Sequence, residues 1–167
     1  MPSIPTIGTH RLVLRPPKIE DWPAYENLMR SDRAAYMGGP FATDFAWGMF
    51  CNDVAQWQLF GHGALMMECR MTGACLGQVG INHGPLFPER ELGWFVYQNA
   101  EGKGYAHEAA TALRDWAFDV RKFETLVSYI GPANVRSQKL AERLGAVLDV
   151  AASRPDPTDL VYRHRKS

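Results

Sequence analysis

Apolar residues recur along this chain with two different periods, which predict a mixture of helices and strands. Segments with apolar residues three or four positions apart are predicted to be helices, and short apolar runs bounded by Gly, Pro or Asn are predicted to be strands. The first pattern predicts four helices, over about 21–29 (with Asp21 as N-cap), 43–60, 104–120 and 135–144. The second predicts seven strands, over 10–15, 64–70, 75–82, 91–97, 125–130, 146–150 and 160–164.

The order of these elements is β-α-α-β-β-β-α-β-α-β-β, and the sequence shows no internal repeat, linker or low-complexity tract. Two long segments, 30–40 and 84–88, contain Gly and Pro and are predicted to be loops. Alternation of this kind favours one α/β (α+β) domain over residues 1–167, with a mixed sheet flanked by about four helices.

Composition narrows the function classes. The 167 residues include 18 basic and 18 acidic side chains, so no net field favours nucleic acid or a membrane surface. No run approaches the roughly 18 apolar residues of a membrane span, and the first residues lack the apolar core of a signal peptide, so a cytoplasmic location is expected. Neither the three cysteines nor the five histidines have the spacing of a metal site, so no metal is expected.

The most informative segment runs from Glu91 to Ala110, where a strand enters a glycine-spaced loop that opens a long helix. Free N–H groups at such a helix start attract anions, and the helix dipole adds to the attraction. Gly102 and Gly104 let the backbone approach a phosphate, and Lys103 adds positive charge. A pyrophosphate fits this arrangement, although a Gly-x-Gly turn alone is equally typical of an ordinary tight turn.

The segments ELGWFV and GKGYAHEA together resemble the acetyl-CoA motif of the GNAT N-acetyltransferase superfamily. The segment HRLVLRPPKIED resembles the opening strand and helix start of the branch that contains ribosomal-protein N-terminal (alanine) acetyltransferases. NVRSQKLAERLGA resembles the Asn-x-x-Ser helix of that branch, and LVYRH resembles its closing strand. The four segments occur in the expected order and span almost the whole chain.

The resemblance implies a mostly antiparallel sheet that splays between its fourth and fifth strands, 91–97 and 125–130, to admit acetyl-CoA as cosubstrate. The backbone around Trp94, Phe95 and Val96 is implied to pair with the pantetheine amides, and Asn134 to bond the same arm. The N–H groups from Gly102 to His107 are implied to hold the pyrophosphate. The implied cofactor-binding residues are therefore Trp94, Phe95, Val96, Gly102, Lys103, Gly104, Tyr105, Ala106, His107, Asn134 and Ser137.

The implied reaction is acetyl transfer to a primary amine by direct attack in a ternary complex. Ser137 is the candidate proton donor to the leaving thiolate, because Ala141 stands where many superfamily members have a tyrosine. Glu91 is the candidate base, with Glu89, Glu108 or water as alternatives. Glu101 also departs from the usual pattern of the superfamily. A carboxylate that points toward a pyrophosphate repels it, so we expect Glu101 to face solvent.

The acceptor is implied to be a small-molecule or peptide amine held by the first two helices and their loop, where Tyr36, Phe41 and Trp47 are candidate contacts. An acidic lining would favour cationic amines, and an open groove would favour a peptide. A non-catalytic acyl-CoA-binding or sensing domain is the alternative function. No nucleic-acid or membrane partner is expected, and the chain is predicted to be a monomer or a homodimer.

Overall fold

A computed structural model describes residues 3–167, which form a single layer of eight strands with four α-helices packed against it. The helices are α1 (Trp22–Met29), α2 (Thr43–Phe60), α3 (Tyr105–Asp119) and α4 (Val135–Arg143). The strands are β1 (Ile7–Gly8), β2 (Leu12–Arg15), β3 (Ala64–Cys69), β4 (Cys75–Gly84), β5 (Phe87–Val96), β6 (Thr125–Ile130), β7 (Val147–Leu148) and β8 (Leu160–Arg165). None of the helices within these residues is long and apolar enough to span a membrane.

The sheet has the strand order β1-β2-β3-β4-β5-β6-β8-β7, and only the β5–β6 pair is parallel. The parallel pairing is limited to one residue pair, Glu91 with Val127, after which the two strands diverge. The predicted mixed, mostly antiparallel sheet with a splay between these two strands is therefore confirmed. The splay leaves one edge of β5, from Leu92 to Val96, without a strand partner.

The main core lies between α3 and one face of the sheet. Its α3 residues recur at helical spacing, so one stripe of the helix meets the apolar face of β2–β5. Fully burying one leucine stabilises a fold by roughly 1.5–3 kcal/mol, so this cluster anchors the helix firmly. Its fully buried members include Leu12, Leu14, Leu65, Met67, Val79, Ile81, Leu92, Ala109, Leu113 and Ala117.

A second, aromatic core joins α1 and α2 to β5. Tyr25 and Phe50 lie edge to face with ring centroids 5.1 Å apart, and Phe95 reaches Tyr25 at 5.9 Å. Because successive strand residues point to opposite faces, Phe95 belongs to this core while its neighbour Trp94 packs against the main core. Both cores therefore meet at β5, beside the splay.

Several local predictions were wrong for identifiable reasons. The segment 30–40 contains a 3₁₀ helix, Asp32–Met37, because the Ser31 hydroxyl caps it by accepting from the Arg33 N–H at 3.2 Å. β5 begins at Phe87, inside the predicted 84–88 loop, because it forms a tight hairpin with β4. Strand β1 has only two residues, too few for a periodic signal. Asp21 makes no side-chain cap to α1, because Arg15 and the Lys18 N–H bind its carboxylate at 2.8 Å.

Candidate active site

Two cavities open on either side of the splay. The first, here the glycine-loop cavity, has a volume of about 600 Å³ and lies between the end of β5, the start of α3 and α4. The second, here the acidic cavity, has a volume of about 560 Å³ and lies between α1, α2, the face of β4–β5 and the loop before β8. Both fall in the range of small-molecule sites. They share Tyr36, Met37, Trp94, Phe95, Asn134 and Ser137.

Both glycines of the glycine loop have a left-handed backbone. Gly102 and Gly104 have φ of +72° and +81°, the left-handed region that favours glycine. α3 starts directly afterwards, so the N–H groups of its first turn are free of intrahelical partners. Tyr105, Ala106 and His107 of that turn line the glycine-loop cavity. Free N–H groups at a helix start generally favour anions, and a pyrophosphate is the anion expected here from the sequence.

Lys103 does not line this cavity. Its ammonium group donates to the Asn99 carbonyl at 3.2 Å on the exposed side of the loop, and its own carbonyl accepts from Arg11. The positive charge of the cavity comes instead from residues that the sequence analysis did not single out. These are Arg33, Arg136, Lys139 and Arg143.

Glu101 lines the glycine-loop cavity and is ion-paired there, whereas we expected it to face solvent. Its carboxylate forms ion pairs with Arg33 and with Arg136, the latter at 3.2 Å, and its side chain is 28% exposed. The hydrogen bond from Arg33 holds the pKa of Glu101 below its ordinary value, and Arg136 contributes in the same direction. Two guanidinium groups therefore offset the negative charge of Glu101.

The free edge of β5 presents alternate backbone groups to the splay. Tyr97 N–H donates to the Leu76 carbonyl of β4 at 2.8 Å, whereas the carbonyl of Val96 accepts from Arg33 at 3.0 Å. By this alternation the amide groups of Trp94 and Val96 face the gap, and those of Phe95 face β4. Phe95 thus meets the two cavities through its side chain and not through its backbone.

Ser137 lies where the two cavities meet. Its hydroxyl accepts a hydrogen bond from the Trp94 indole N–H at 3.3 Å, so the hydroxyl hydrogen remains available for donation. The backbone N–H of Ser137 donates to Asn134 Oδ1 at 3.3 Å, which makes Asn134 the N-cap of α4. Ala141 lies one turn further along α4 and is fully buried against Ile130. Its methyl side chain cannot supply the hydroxyl that a tyrosine provides at this position in many superfamily members.

Glu91 lies on the floor of the acidic cavity. Its Oε1 accepts from Asn82 on the neighbouring strand at 3.2 Å, and burial raises its pKa to about 7. The alternatives Glu89 and Glu108 line neither cavity. Glu89 binds Arg163 at 2.8 Å, and Glu108 accepts from the Arg11 side chain at 2.8 Å.

Asp53 of α2 is a second carboxylate of the acidic cavity, and the sequence analysis missed it. Its Oδ2 accepts from the Tyr25 hydroxyl at 3.0 Å and from the Gln78 amide at 3.1 Å. Burial raises its pKa to about 6. The sequence did contain a signal for this residue. Asp53 lies on the apolar stripe of α2, three residues after Phe50 and four before Trp57, where an acidic side chain is unusual.

The three candidate acceptor residues are placed differently. Tyr36 lines both cavities, and its hydroxyl lies 3.4 Å from the Ala133 carbonyl. Phe41 lines the acidic cavity and stacks on Phe45. Trp47 lines neither cavity, because its indole packs edge to face on Trp22 of α1 with centroids 5.0 Å apart.

Comparison with known proteins identifies the family of this chain. Residues 11–147 match the model of the acetyltransferase (GNAT) domain. The chain therefore belongs to the GNAT acetyltransferase family. An acetyltransferase from Agrobacterium tumefaciens, known from its crystal structure, is 55% identical in sequence to this chain. The two structures superpose with a TM-score of 0.96 over 99% of this chain and 97% of that one.

More distant relatives show the same fold. RimL, a ribosomal L7/L12 α-N-protein acetyltransferase solved in complex with coenzyme A, is 15% identical, with a TM-score of 0.77 over 96% of this chain and 98% of that one. The resemblance to ribosomal-protein acetyltransferases is thus confirmed at the level of the fold. Among curated proteins, YkkB of Bacillus subtilis is 34% identical over 88 residues, 52% of this chain. The match spans only 51% of YkkB.

Proposed function

We propose that this protein transfers the acetyl group of acetyl-CoA to a primary amine, with both substrates bound at once on opposite sides of the splay. The observation that supports this function best is the junction of the two cavities at Trp94 and Ser137. An anion-binding loop and basic side chains line one cavity, and carboxylates line the other. A donor and an acceptor bound in them would meet at that junction.

The glycine-loop cavity suits the donor. The first-turn N–H groups of α3 and the basic side chains around Arg136 would hold the pyrophosphate, and the edge amides of Trp94 and Val96 would pair with the pantetheine arm. The Nδ2 group of Asn134 is a further donor, since its Oδ1 already caps α4. When bound, acetyl-CoA supplies an activated acyl group in the form of a thioester.

The residues at the junction suit direct transfer. The amine nitrogen forms the new N–C bond with its lone pair, and the C–S bond breaks with its electron pair moving to sulfur. Glu91, with a pKa of about 7, accepts the proton that the amine must lose. The Ser137 hydroxyl donates a hydrogen bond to the leaving sulfur, which departs as a thiolate and takes its proton from water. Direct transfer therefore needs no covalent acyl-enzyme.

The proposal is tested by two measurements on the intact protein. Calorimetry with acetyl-CoA should show binding, and a panel of primary amines should release free thiol from bound acetyl-CoA. Absence of acetyl-CoA binding would contradict the proposal. Binding without thiol release from any amine would instead favour a non-catalytic acyl-CoA-binding domain, an alternative to which the family relationship gives no support.

A further inference from the structure

No basic side chain lines the acidic cavity over residues 3–167, whereas several carboxylates elsewhere in the fold pair with arginine. Asp21, for example, binds Arg15 at 2.8 Å. Over residues 3–167 none of the four carboxylates of this cavity forms a salt bridge, and no lysine, arginine or histidine lines it. Arg154 lies outside the lining and only opposes the rise that burial causes in the pKa of Asp159. These carboxylates are Asp53, Glu91, Asp156 and Asp159.

A buried acceptor in the same cavity also lacks a partner. Gln78 lines the cavity and is 8% exposed, and its Nε2 group donates to Asp53. Its Oε1 atom is buried and, among the residues that the structure describes, has no hydrogen-bond partner. Native folds rarely leave such an atom unpaired, so this corner of the cavity calls for a hydrogen-bond donor. An ammonium group is donor only and carries the charge that Asp53 needs.

We propose that the acidic cavity selects an amine acceptor that bears a second positive charge, with Asp53 and Gln78 holding the cation that is not acetylated. This inference rests on the proposed acetyl transfer and defines its acceptor class. The shared chemistry is a primary amine with a second cation. A free diamine and a peptide N-terminus followed by a basic residue both provide it.

The strand register gives the cavity a suitable shape. Asp53 reaches β4 at Gln78 and Glu91 reaches it at Asn82, four residues further along, which is roughly 13 Å in an extended strand. Between these points Gly80 pairs with Gly93, so the floor has no side chains. An extended, flexible diamine lying along this floor would place one nitrogen near each carboxylate.

The charge state of the cavity fits the same acceptor. Burial raises the pKa of Asp53 to about 6 and that of Glu91 to about 7. A bound cation would lower both values, because it stabilises the ionised carboxylates. Binding of a dication near pH 6.5 should therefore release more protons from the protein than binding of a monocation such as hexylamine.

The test compares three acceptors that share a six-carbon chain and one primary amine but differ in the second end group: hexane-α,ω-diamine, hexylamine and ω-aminohexanoate. We expect kcat/KM for the diamine to exceed that for hexylamine by about tenfold, with ω-aminohexanoate the poorest. The ratio of diamine to hexylamine should fall to about threefold or less in Asp53→Asn and stay unchanged in Asp44→Asn. Asp44 is an exposed carboxylate on the same helix that lines neither cavity.

The outcomes separate this inference from the proposed function. Equal or better transfer to hexylamine or ω-aminohexanoate in the wild-type protein would overturn the inference and leave acetyl transfer standing. If acetyl-CoA binds but no amine is acetylated, calorimetry with the diamine decides. Binding with proton release that is lost in Asp53→Asn supports the inference, and no binding overturns it.

Failure of acetyl-CoA to bind would remove the proposed function and the inference together. Peptide amides beginning Ala-Lys and Ala-Gly form a further arm. A preference for Ala-Lys over Ala-Gly supports recognition of a second cation, as a preference for the diamine over hexylamine does. It also identifies peptides as the source of the acceptor amine. Preference for the diamine alone identifies free amines.

Discussion

The two cavities that meet at the splay differ most in their charge. Four basic side chains line the glycine-loop cavity, and its two carboxylates, Asp32 and Glu101, are the minority. Four carboxylates line the acidic cavity, which has no basic side chain over residues 3–167. One gap in a sheet thus separates a region that suits a polyanion from a region that suits a cation, in a chain whose formal net charge is zero.

The comparison shows that net charge says little about a site when opposite charges are sorted in space. Different segments supply the two sets of charges: the 3₁₀ helix and α4 supply the basic side chains of one cavity, and α2, β5 and the loop before β8 supply the carboxylates of the other. Strand alternation adds to this separation, because neighbouring residues of β5 point to opposite faces of the sheet. Glu91 and Phe95 share the face of the acidic cavity, while Trp94 packs on the other face beside α4. The chemistry proposed for each cavity can be perturbed separately, and the following variants are designed to do so.

The largest effect is expected from Glu91→Gln. An alkyl amine has an ordinary pKa of about 10.4, so removal of its proton is the harder of the two proton transfers. With Glu91 ionised only above pH 7 or so, wild-type kcat/KM should rise about tenfold per pH unit up to that value and then level off. Glu91→Gln should lose this rise and about a hundredfold in kcat/KM. An unchanged pH profile would assign the base to another group.

Ser137→Ala should have the next largest effect. A thiol has a pKa of roughly 8.5, so the departing thiolate needs less help than the amine, and we expect kcat to fall about tenfold to a hundredfold. The Kd for acetyl-CoA, measured by calorimetry, should change less than about threefold. Ser137→Thr retains a hydroxyl and is the matched control. Equal kcat in the alanine variant and the wild-type protein would remove Ser137 from the mechanism.

Two glycines with the same backbone conformation allow a controlled test of the glycine-loop cavity. Gly102 and Gly73 both have φ of +72°, and an added Cβ meets no atom within 4 Å at either position. Alanine should therefore destabilise both positions alike, by about 1–2 kcal/mol. Only Gly102 lines the cavity, so Gly102→Ala alone should raise the Kd for acetyl-CoA, by about tenfold. Equal affinities for acetyl-CoA in the two variants would show that the pyrophosphate binds elsewhere.

Asp53→Asn should change stability in a pH-dependent way. The folded-state pKa of Asp53, about 6, lies above its ordinary value of 3.8, so its contribution to stability falls as pH rises from about 4 to 6. The variant has no such loss. Its Tm relative to the wild-type protein should therefore increase over that interval, by about 2–4 °C for each 1 kcal/mol. A constant difference between pH 4 and 8 would contradict the elevated pKa.

Glu101→Gln is expected to have the smallest effect. The substitution removes a negative charge from the glycine-loop cavity. It also releases Arg33 and Arg136, which form ion pairs with Glu101 in the wild-type protein. Partly exposed ion pairs contribute about 0–1 kcal/mol, so the Kd for acetyl-CoA should change less than about threefold. A change of about tenfold or more would show that Glu101 acts directly on the ligand.

The sequence by itself determined the order and nature of the longer elements, because helical and strand periods are local properties of the chain. The strand–glycine–helix junction at Gly102–Gly104 was predictable for the same reason, since positive φ favours glycine wherever it occurs. Resemblance in four ordered segments was enough to predict the family and the splayed sheet.

Only the tertiary structure decided what surrounds the site. Arg33 of the 3₁₀ helix, Asp53 of α2 and Gln78 of β4 are far apart in sequence, and packing of the two cores brings them beside β5. Partner choice also changed two expectations: Lys103 turns away from the cavity, and Glu101 lines it in ion pairs with Arg33 and Arg136. Burial and ion pairing depend on contacts between distant segments, and a period read along one segment contains no information about them.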